Sequence, residues 1–344
     1  MKKINLYIFG IIFLFLIISL LANLDLTSFD FASITSATTF NSIVKDEGNI
    51  SVHFCPQEDC EQILINYLNS VEKSLHCALF DVGLKSVQQL LLDKEKQIEV
   101  KVVTDNDYLK KFNHSFVKAD SYGLMHNKFC IIDGKKIFAG SMNPTDNCAH
   151  KNNNNLLLIE SKVLADNYED EFQELWSGVF KKGDPVANSG VQLGQTIIYN
   201  YFCPDDSCAD RIKEELKQAK ESIYFMTFSF THEGIANIIL LKKEDGLAIQ
   251  GVMETRQISD YSKFQLLQYQ NISVLKDGNK NNLHHKVFII DGETVITGSM
   301  NPTAGGDEKN DENLLIIKDK TIAEKFMKEF WKVWGEAEAA DNLK

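Results

Sequence analysis

Short apolar runs alternate with amphipathic stretches along most of the chain. The apolar runs predict strands at 50–54, 75–80, 98–104 and 156–159, and again at 196–202, 223–230, 248–254 and 314–317. Amphipathic stretches predict the helices between them, and the helices at 56–71 and 204–220 each begin with a proline, a residue typical of a first helical turn. Alternation of this kind predicts an α/β fold with a largely buried sheet.

The pattern occurs twice, and residue identities repeat with it. The sequence Phe-Cys-Pro at 54–56 recurs 148 residues later at 202–204, whereas Trp176 recurs 158 residues later as Trp334. About ten extra residues of the second copy therefore lie between 255 and 283. We predict a monomer that is an internal pseudo-dimer, with halves at 50–182 and 193–338 and a linker at 183–192.

The amino terminus has a different pattern. Lys2 and Lys3 precede an almost unbroken apolar run at 4–22, which is long enough to cross a bilayer as a helix. Residues 1–22 therefore predict a signal anchor or a cleaved signal peptide, and the length of the run favours the anchor. The two lysines predict that the remaining chain lies on the extracytoplasmic side, or is secreted, after a polar tether at 23–49.

Composition narrows the class of ligand. With 44% hydrophobic residues the chain can bury two cores, and its formal net charge of −12 disfavours a general polyanion-binding surface. Nucleic acid or anionic lipid would therefore have to bind in a local basic pocket.

The candidate chemistry lies in one motif that each half contains. HxKxxxxD is followed seven residues later by Gly-Ser-Met-Asn, and the motif residues are His126, Lys128, Asp133, His284, Lys286 and Asp291. Because residues two apart on a strand point to the same face, each His and Lys should project together. Two matches with the same downstream tetrapeptide make coincidence negligible.

These paired motifs resemble the signature of the phospholipase D superfamily, in the branch of small bacterial endonucleases and mitochondrial cardiolipin hydrolase. The resemblance covers about residues 50–335. It implies two α/β/α halves about a pseudo-twofold axis, each with a mixed, mostly parallel sheet flanked by helices. It also implies that both motifs meet in one cleft, that a phosphohistidine forms during phosphodiester cleavage, and that no metal or other cofactor is needed.

Phosphodiester displacement needs a neutral nucleophile, a proton for the leaving group and positive charge at the phosphoryl oxygens. The resemblance implies that His126 is the nucleophile and His284 the acid and base, and pseudo-symmetry leaves the reverse open. The two lysines would bind the phosphoryl oxygens. Uncharged donors to the same oxygens are expected from Ser141, Asn143, Ser299 and Asn301. Asp133 and Asp291 complete the catalytic motif, although their position beyond the lysines also allows a structural role.

The halves differ after the second tetrapeptide. The sequence Asn-Asp-Glu-Asn at 310–313 contains Glu312, whereas Asn154 occupies the corresponding position in the first half. A carboxylate can orient a histidine and raise its basicity, so Glu312 is expected to support one of the two histidines. The sequence does not identify which one.

The cysteines allow several interpretations. Cys55 and Cys60, with Cys203 and Cys208, predict two short-loop disulfides in an exported protein, and free thiols or a structural zinc site are alternatives. Cys77 and Cys130 lie in apolar runs and are expected in the core rather than in chemistry.

The expected activity is that of a phosphoric diester hydrolase. Phospholipase D-type cleavage of phospholipid head groups fits a domain held beside a membrane, and endonuclease action on DNA or RNA fits the compact size. We favour the lipid because of the apolar amino terminus and the acidic balance. A cardiolipin-synthase-like phosphatidyltransferase and an inactive binding module are further alternatives, and the intact His and Lys residues disfavour the inactive module.

Overall fold

The computed structural model describes residues 43–342 of the chain. The predicted signal or anchor segment at 1–22 and most of the predicted tether lie outside these residues. No helix within 43–342 is both long enough and apolar enough to cross a membrane.

Strands and helices alternate through the first half in the order that the apolar pattern predicts. The strands are β1 (Val44–Asp46), β2 (Asn49–Cys55), β3 (Ser74–Leu79), β4 (Glu99–Thr104), β5 (Val117–Ala119), β6 (Lys128–Ile132), β7 (Lys136–Gly140) and β8 (Asn154–Glu160). The helices are α1 (Cys60–Asn69), α2 (Lys85–Glu95), α3 (Asp146–His150) and α4 (Lys162–Ser177), with a short 3-10 turn at Leu109–Lys111.

The second half repeats this order. Its strands are β9 (Gly190–Leu193), β10 (Thr196–Cys203), β11 (Ser222–Thr227), β12 (Ala248–Met253), β13 (Ser273–Lys276), β14 (Lys286–Ile290), β15 (Thr294–Gly298) and β16 (Glu312–Lys318). Its helices are α5 (Cys208–Gln218), α6 (Glu233–Glu244), α7 (Phe264–Tyr269), α8 (Ala304–Glu308) and α9 (Lys320–Asp341), with a 3-10 turn at Thr255–Gln257.

Each half has its own sheet, and the two sheets have the same strand order. The first runs β2-β8-β7-β6-β3-β4-β5, and the second runs β10-β16-β15-β14-β11-β12-β13 with β9 and β1 added beside β10. Val44 of β1 pairs with Val191 of β9. The end of the predicted tether at residue 49 and the end of the predicted linker at 192 are therefore corrected, because both segments contribute strands to the second sheet.

The prediction of mostly parallel sheets is wrong. In the first sheet only β3–β4 and β4–β5 are parallel, and the other four neighbouring pairs are antiparallel. The reason is the connection length, because β6 and β7 are joined by a three-residue turn at 133–135, which allows only antiparallel pairing. Parallel pairs need a longer crossover, such as the one that α2 provides between β3 and β4.

A shared core joins the halves. It contains inward residues of both sheets, such as Ile131 and Ile289, together with residues of the closing helices, such as Phe172 of α4 and Phe330 of α9. The outer face of each sheet packs against the other helices of its own half in a separate core. This arrangement brings the carboxyl-terminal half of each repeat next to its counterpart, where the motif residues lie.

The first helix of each half begins later than predicted. Helix α1 begins at Cys60, where Asp59 accepts a hydrogen bond from the backbone N–H of Gln62, and α5 begins at Cys208. A disulfide-closed turn occupies the residues that follow Pro56, since Cys55 is bonded to Cys60. The proline therefore belongs to the turn rather than to the first helical turn.

Candidate active site

The two motif histidines lie in loops that pair with the opposite half. The backbone N–H of His126 donates to the carbonyl of Asp311 at 2.9 Å, and that of His284 donates to the carbonyl of Asn153 at 2.9 Å. The residue before each histidine also forms an isolated β-bridge with the opposite half, Met125 with Asp311 and Leu283 with Asn153. Each histidine is thus held by the segment that follows the Gly-Ser-Met-Asn sequence of the other half.

The motif lysines begin strands β6 and β14 and fold back toward their histidines. Lys128 Nζ donates to the His126 carbonyl at 2.5 Å, and Lys286 Nζ donates to the His284 carbonyl at 2.8 Å. Both lysines are buried, and Nζ of Lys128 lies 5.1 Å from the centre of the Phe80 ring. A buried ammonium group held in this way is an anion site when a negative ligand enters.

The two motif histidines and the two motif lysines are close enough to perturb one another. Burial and the charges of Lys128 and Lys286 hold the pKa of His126 well below its usual value, and the same causes act on His284. Burial lowers the pKa of Lys128 to about 8, and burial together with Lys128 lowers that of Lys286 well below its usual range. A phosphodiester anion would relieve this concentration of positive charge, so the site is matched to such a ligand.

Glu312 contacts His126. Both carboxylate oxygens lie near His126 Nδ1, at 2.7 and 2.8 Å, and the carboxylate also accepts bonds from Ser299 Oγ at 2.6 Å and Asn310 Nδ2 at 3.1 Å. Burial raises the pKa of Glu312 to about 7. The Nδ1–H of His126 donates to this carboxylate, which leaves Nε2 unprotonated and available for attack in the neutral imidazole.

His284 has uncharged acceptors at the equivalent place. Its Nδ1 lies 2.8 Å from Asn154 Oδ1 and 3.1 Å from the Ser141 carbonyl. Both partners accept hydrogen bonds, so Nδ1 carries the proton and Nε2 again faces the site. The two histidines therefore share a tautomer but differ in the charge of the group behind them.

The serines of the tetrapeptides do not have the role that the sequence predicts. Ser141 Oγ donates to Asn154 Oδ1 at 3.1 Å, and Ser299 Oγ donates to Glu312. Both hydroxyls are fully buried and also accept a backbone N–H from β8 or β16. They hold the groups behind the histidines, and the predicted contact with substrate oxygens is corrected.

The asparagines of the tetrapeptides keep unused hydrogen-bonding capacity. Asn143 is buried and donates weakly to Cys148 Sγ at 3.9 Å, and Asn301 is half-buried. The Oδ1 atoms of both side chains have no partner within the described part of the chain. Their predicted contact with the substrate phosphate stays a prediction.

Asp133 and Asp291 are structural, which corrects their place in the catalytic set. Asp133 accepts the backbone N–H groups of 72–74 at 3.0, 2.7 and 3.0 Å, and Asp291 accepts those of 220–222 at 2.9, 2.8 and 2.9 Å. Each lies in the hairpin turn at the far end of a motif strand, about 20 Å along the strand from the histidine. They anchor this turn to the start of the neighbouring strand.

The structure pairs six cysteines. Cys55 is bonded to Cys60, Cys203 to Cys208 and Cys77 to Cys130. The first four sulfurs are therefore not zinc ligands, and the third bond, between neighbouring strands β3 and β6 of the core, is one that the sequence analysis did not predict. Within residues 43–342, no cluster of three or more His, Cys, Asp or Glu side chains is arranged to hold a metal ion.

Sequence reasoning missed a second layer behind the motifs. The residue between His and Lys is Asn127 in one motif and His285 in the other, and both are fully buried. Asn127 accepts from Asn313 Nδ2 at 3.0 Å, and His285 Nδ1 lies 3.1 Å from Asn155 Nδ2. Each then contacts a carboxylate of a closing helix, Glu171 at 3.3 Å and Glu329 at 3.4 Å. These two glutamates recur at the 158-residue offset, and this recurrence could have identified them from the sequence.

The comparisons with known proteins agree with this geometry. Residues 64–176 and 212–334 match the family model described as "Cardiolipin synthase, PLD-like domain". A protein named phospholipase D from Rickettsia conorii is 31% identical over 137 residues, which are 40% of this chain and 68% of that protein. The mitochondrial cardiolipin hydrolase of Xenopus tropicalis is 29% identical over 142 residues, with the same shares of the two chains.

A solved structure extends the likeness to both halves. The crystal structure of phosphatidylserine synthase from Haemophilus influenzae superimposes with a TM-score of 0.63 at 12% identity, covering 86% of this chain and 88% of that one. At this identity the likeness concerns the fold alone. It shows that the two-sheet arrangement as a whole, and not just one half, is a known architecture.

Proposed function

We propose that this chain, which belongs to the phospholipase D superfamily, cleaves phospholipid head groups through a phosphohistidine intermediate on His126. The general activity is phosphodiester hydrolysis. The observation that carries the assignment of the intermediate to His126 is the contact of His126 Nδ1 with Glu312 at 2.7 Å, made across the two halves within a buried cluster of two histidines and two lysines.

In the first step, Nε2 of His126 attacks phosphorus and forms a P–N bond while the P–O bond to the head-group alcohol breaks. His284, which takes up a proton on Nε2 when the phosphodiester anion binds, donates that proton to the leaving oxygen, so the alcohol leaves neutral. Lys128 and Lys286 bind the non-bridging oxygens while negative charge builds up on those oxygens. The Glu312 carboxylate stabilises the positive imidazole ring of the intermediate, because it already accepts the Nδ1–H of that ring.

In the second step, His284 takes a proton from water, and the resulting hydroxide attacks phosphorus. The P–N bond breaks, phosphatidic acid leaves, and both histidines return to their starting states. Water enters only after the alcohol departs, so the same group serves as acid and then as base. No redox change is involved.

Three observations support a lipid as substrate. The relatives from Rickettsia conorii and Xenopus tropicalis are named for phospholipid and cardiolipin cleavage. The apolar run at 4–22 would hold the catalytic domain beside a membrane on its extracytoplasmic side, and the net charge of −12 disfavours long polyanions. Nucleic acid is the competing substrate class, and the test below separates the two.

The test uses the full-length chain in detergent with labelled phosphatidylcholine and cardiolipin vesicles, and separately with single-stranded and duplex DNA and RNA. EDTA is present throughout. We expect release of phosphatidic acid that His126→Ala abolishes and that His114→Ala, a change at an exposed histidine outside the motifs, does not. Strand cleavage that depends on His126, without lipid turnover, would overturn the lipid proposal in favour of a nuclease. A fully active His126→Ala protein would contradict the mechanism.

A further inference from the structure

The groups behind the two histidines differ in charge although their surroundings repeat. Ser299 Oγ donates to Glu312 in one half, and Ser141 Oγ donates to Asn154 in the other. The Glu312 carboxylate and the Asn154 amide each also face Nδ1 of the histidine from the opposite half, at 2.7 Å and 2.8 Å respectively. The site is therefore a symmetric frame that holds one anionic and one neutral support.

The orientation of the Asn154 amide follows from its other contacts. Its Nδ2 donates to the carbonyl of Cys148 at 3.0 Å and to that of Asn152 at 3.4 Å, and both partners are acceptors only. The Oδ1 atom must then be the one that faces His284 and Ser141 Oγ. Asn154 fixes the position and tautomer of His284, as Glu312 does for His126, but it adds no negative charge.

A negative charge behind a histidine matters more for the phosphorylated intermediate than for proton transfer. A phosphorylated imidazole is a cation for the lifetime of the intermediate, and a buried cation needs an opposite charge close by. Glu312 supplies this charge to His126. A histidine that donates and recovers a proton within one turnover instead benefits from a cationic form that is not over-stabilised.

We propose that Asn154 is a positioning residue that reserves His284 for proton transfer, and that its pairing against Glu312 decides which of two similar histidines carries the phosphoryl group. This inference rests on the proposed function and deepens it. Asn154 acts through His284 and does not itself touch the reacting atoms.

The hydrogen-bond partners of the His284 ring within the described residues are the Ser141 carbonyl and the Asn154 amide, and no carboxylate is among them. The side chains that lower the pKa of His284 are Lys286 from its own motif and Lys128 and His126 from the other half. All of these oppose a positive charge on His284. The proton that His284 donates is therefore stabilised mainly by the bound phosphodiester anion, which couples protonation of the acid to occupation of the site.

The first experiment changes the charge behind each histidine. Asn154→Asp adds a carboxylate at His284, Glu312→Gln removes the one at His126, and the double variant exchanges them. The matched control is Asn152→Asp, which adds the same charge in the same loop, where the Asn152 Oδ1 faces the backbone N–H of Asn282 at 3.1 Å rather than a histidine. Each protein is quenched during turnover of ³²P-labelled phosphatidylcholine vesicles, and labelled peptides are mapped.

We expect the wild type to carry label on His126 only, and the exchanged double variant to carry it mainly on His284. In Glu312→Gln, where both supports are amides, label should divide between the two histidines, so this variant tests the proposal even where Asn154→Asp fails to fold. Wild-type label on both histidines, or label that stays on His126 in both Glu312→Gln and the double variant, would refute the role of Asn154.

The second experiment is the pH profile of kcat. The reaction needs His284 protonated, so activity is lost as pH rises through the pKa of that group in the substrate complex. A carboxylate at 154 stabilises the protonated ring, so the alkaline limb should move up by about one pH unit in Asn154→Asp and clearly less in Asn152→Asp. An unmoved limb would indicate a purely structural residue.

The effect of a charge at position 154 on His284 can be measured without any turnover of phospholipid. Histidine-selective ¹³C labelling and NMR titration of the ligand-free protein measure the His284 midpoint without any substrate. A midpoint that rises in Asn154→Asp and stays near the wild-type value in Asn152→Asp supports the charge argument even in a protein that does not turn over phospholipid. Equal midpoints in Asn154→Asp and the wild type would overturn it.

Discussion

The two halves of the molecule share a framework and differ in the charges that they place upon it. Their sheets have the same strand order from β2 to β5 and from β10 to β13. Their motif aspartates accept the same three backbone N–H groups at corresponding turns. Positions that fix the backbone have thus been kept in both copies, because their hydrogen bonds and packing leave few alternatives.

The side chains around that framework have diverged. A surface pocket of about 380 Å³ beside α4 has Asp170, Glu174 and Asp184 in its lining. The equivalent pocket beside α9, of about 440 Å³, has three lysines, together with two glutamates, in its lining: Lys325, Lys328, Lys332, Glu58 and Glu329. Such exposed positions tolerate opposite charges. Inside the site the same divergence is confined to a few buried positions, among them Asn154 against Glu312, where it separates the roles of two similar histidines.

The largest expected difference between the halves concerns the histidines themselves. With bis(p-nitrophenyl) phosphate, whose leaving group needs no proton, His284→Ala should still release about one equivalent of p-nitrophenolate per enzyme, because His126 can form the intermediate. His126→Ala should release none, and both variants should lose at least about 10³-fold in steady-state turnover. A burst in His126→Ala but not in His284→Ala would reverse the assignment of the two histidines.

Replacing either motif lysine should reduce activity less than replacing a motif histidine. Lys128→Gln and Lys286→Gln each remove one positive charge from the phosphoryl oxygens, so kcat/KM with the same diester should fall by about 10²- to 10³-fold in either half. Steady-state kinetics of the two variants measures this. A loss confined to one lysine would show that the phosphate binds asymmetrically.

Burial of Lys128 should also lower the free energy of unfolding of the protein. Burial lowers its pKa to about 8, so between about pH 8 and the unfolded value the unfolded chain binds more protons and the wild type gains stability as pH rises. Lys128→Met should weaken this dependence, to which the buried Lys286 also contributes, and raise the free energy of unfolding near pH 7 by on the order of 2 kcal/mol. Urea denaturation between pH 7 and 10 measures both. A less stable Lys128→Met protein would contradict the burial argument.

The smallest effect is expected where the halves are most alike. Asp133→Asn and Asp291→Asn each weaken hydrogen bonds to three backbone N–H groups, so each should lower the free energy of unfolding by about 1 to 2 kcal/mol. The kcat of the folded enzymes should stay near the wild-type value, because neither carboxylate reaches the site. A large loss of kcat at unchanged stability would restore the aspartates to the catalytic set.

Much of the fold could be predicted from local pattern. The strands before and after each motif lie where apolar runs predict them, and the repeat offsets match the two sheets strand for strand. The direction of strand pairing was predicted wrongly, since an apolar run does not show whether its neighbour is reached by a short turn or by a helical crossover. The strands β1, β5, β9 and β13 were not predicted, because each has only three or four residues and gives too short a pattern.

For the site, the sequence by itself determined the chemical groups: two histidines and two lysines in repeated motifs, with one carboxylate that breaks the symmetry. Only the tertiary structure decided their partners. Glu312 meets His126 across 186 residues of chain, and Asn154 meets His284 across 130. The same structure turned the serines away from the substrate and placed the aspartates in distant turns. Periodicity records which face of its own strand or helix a residue occupies, whereas these contacts depend on how the two halves pack together.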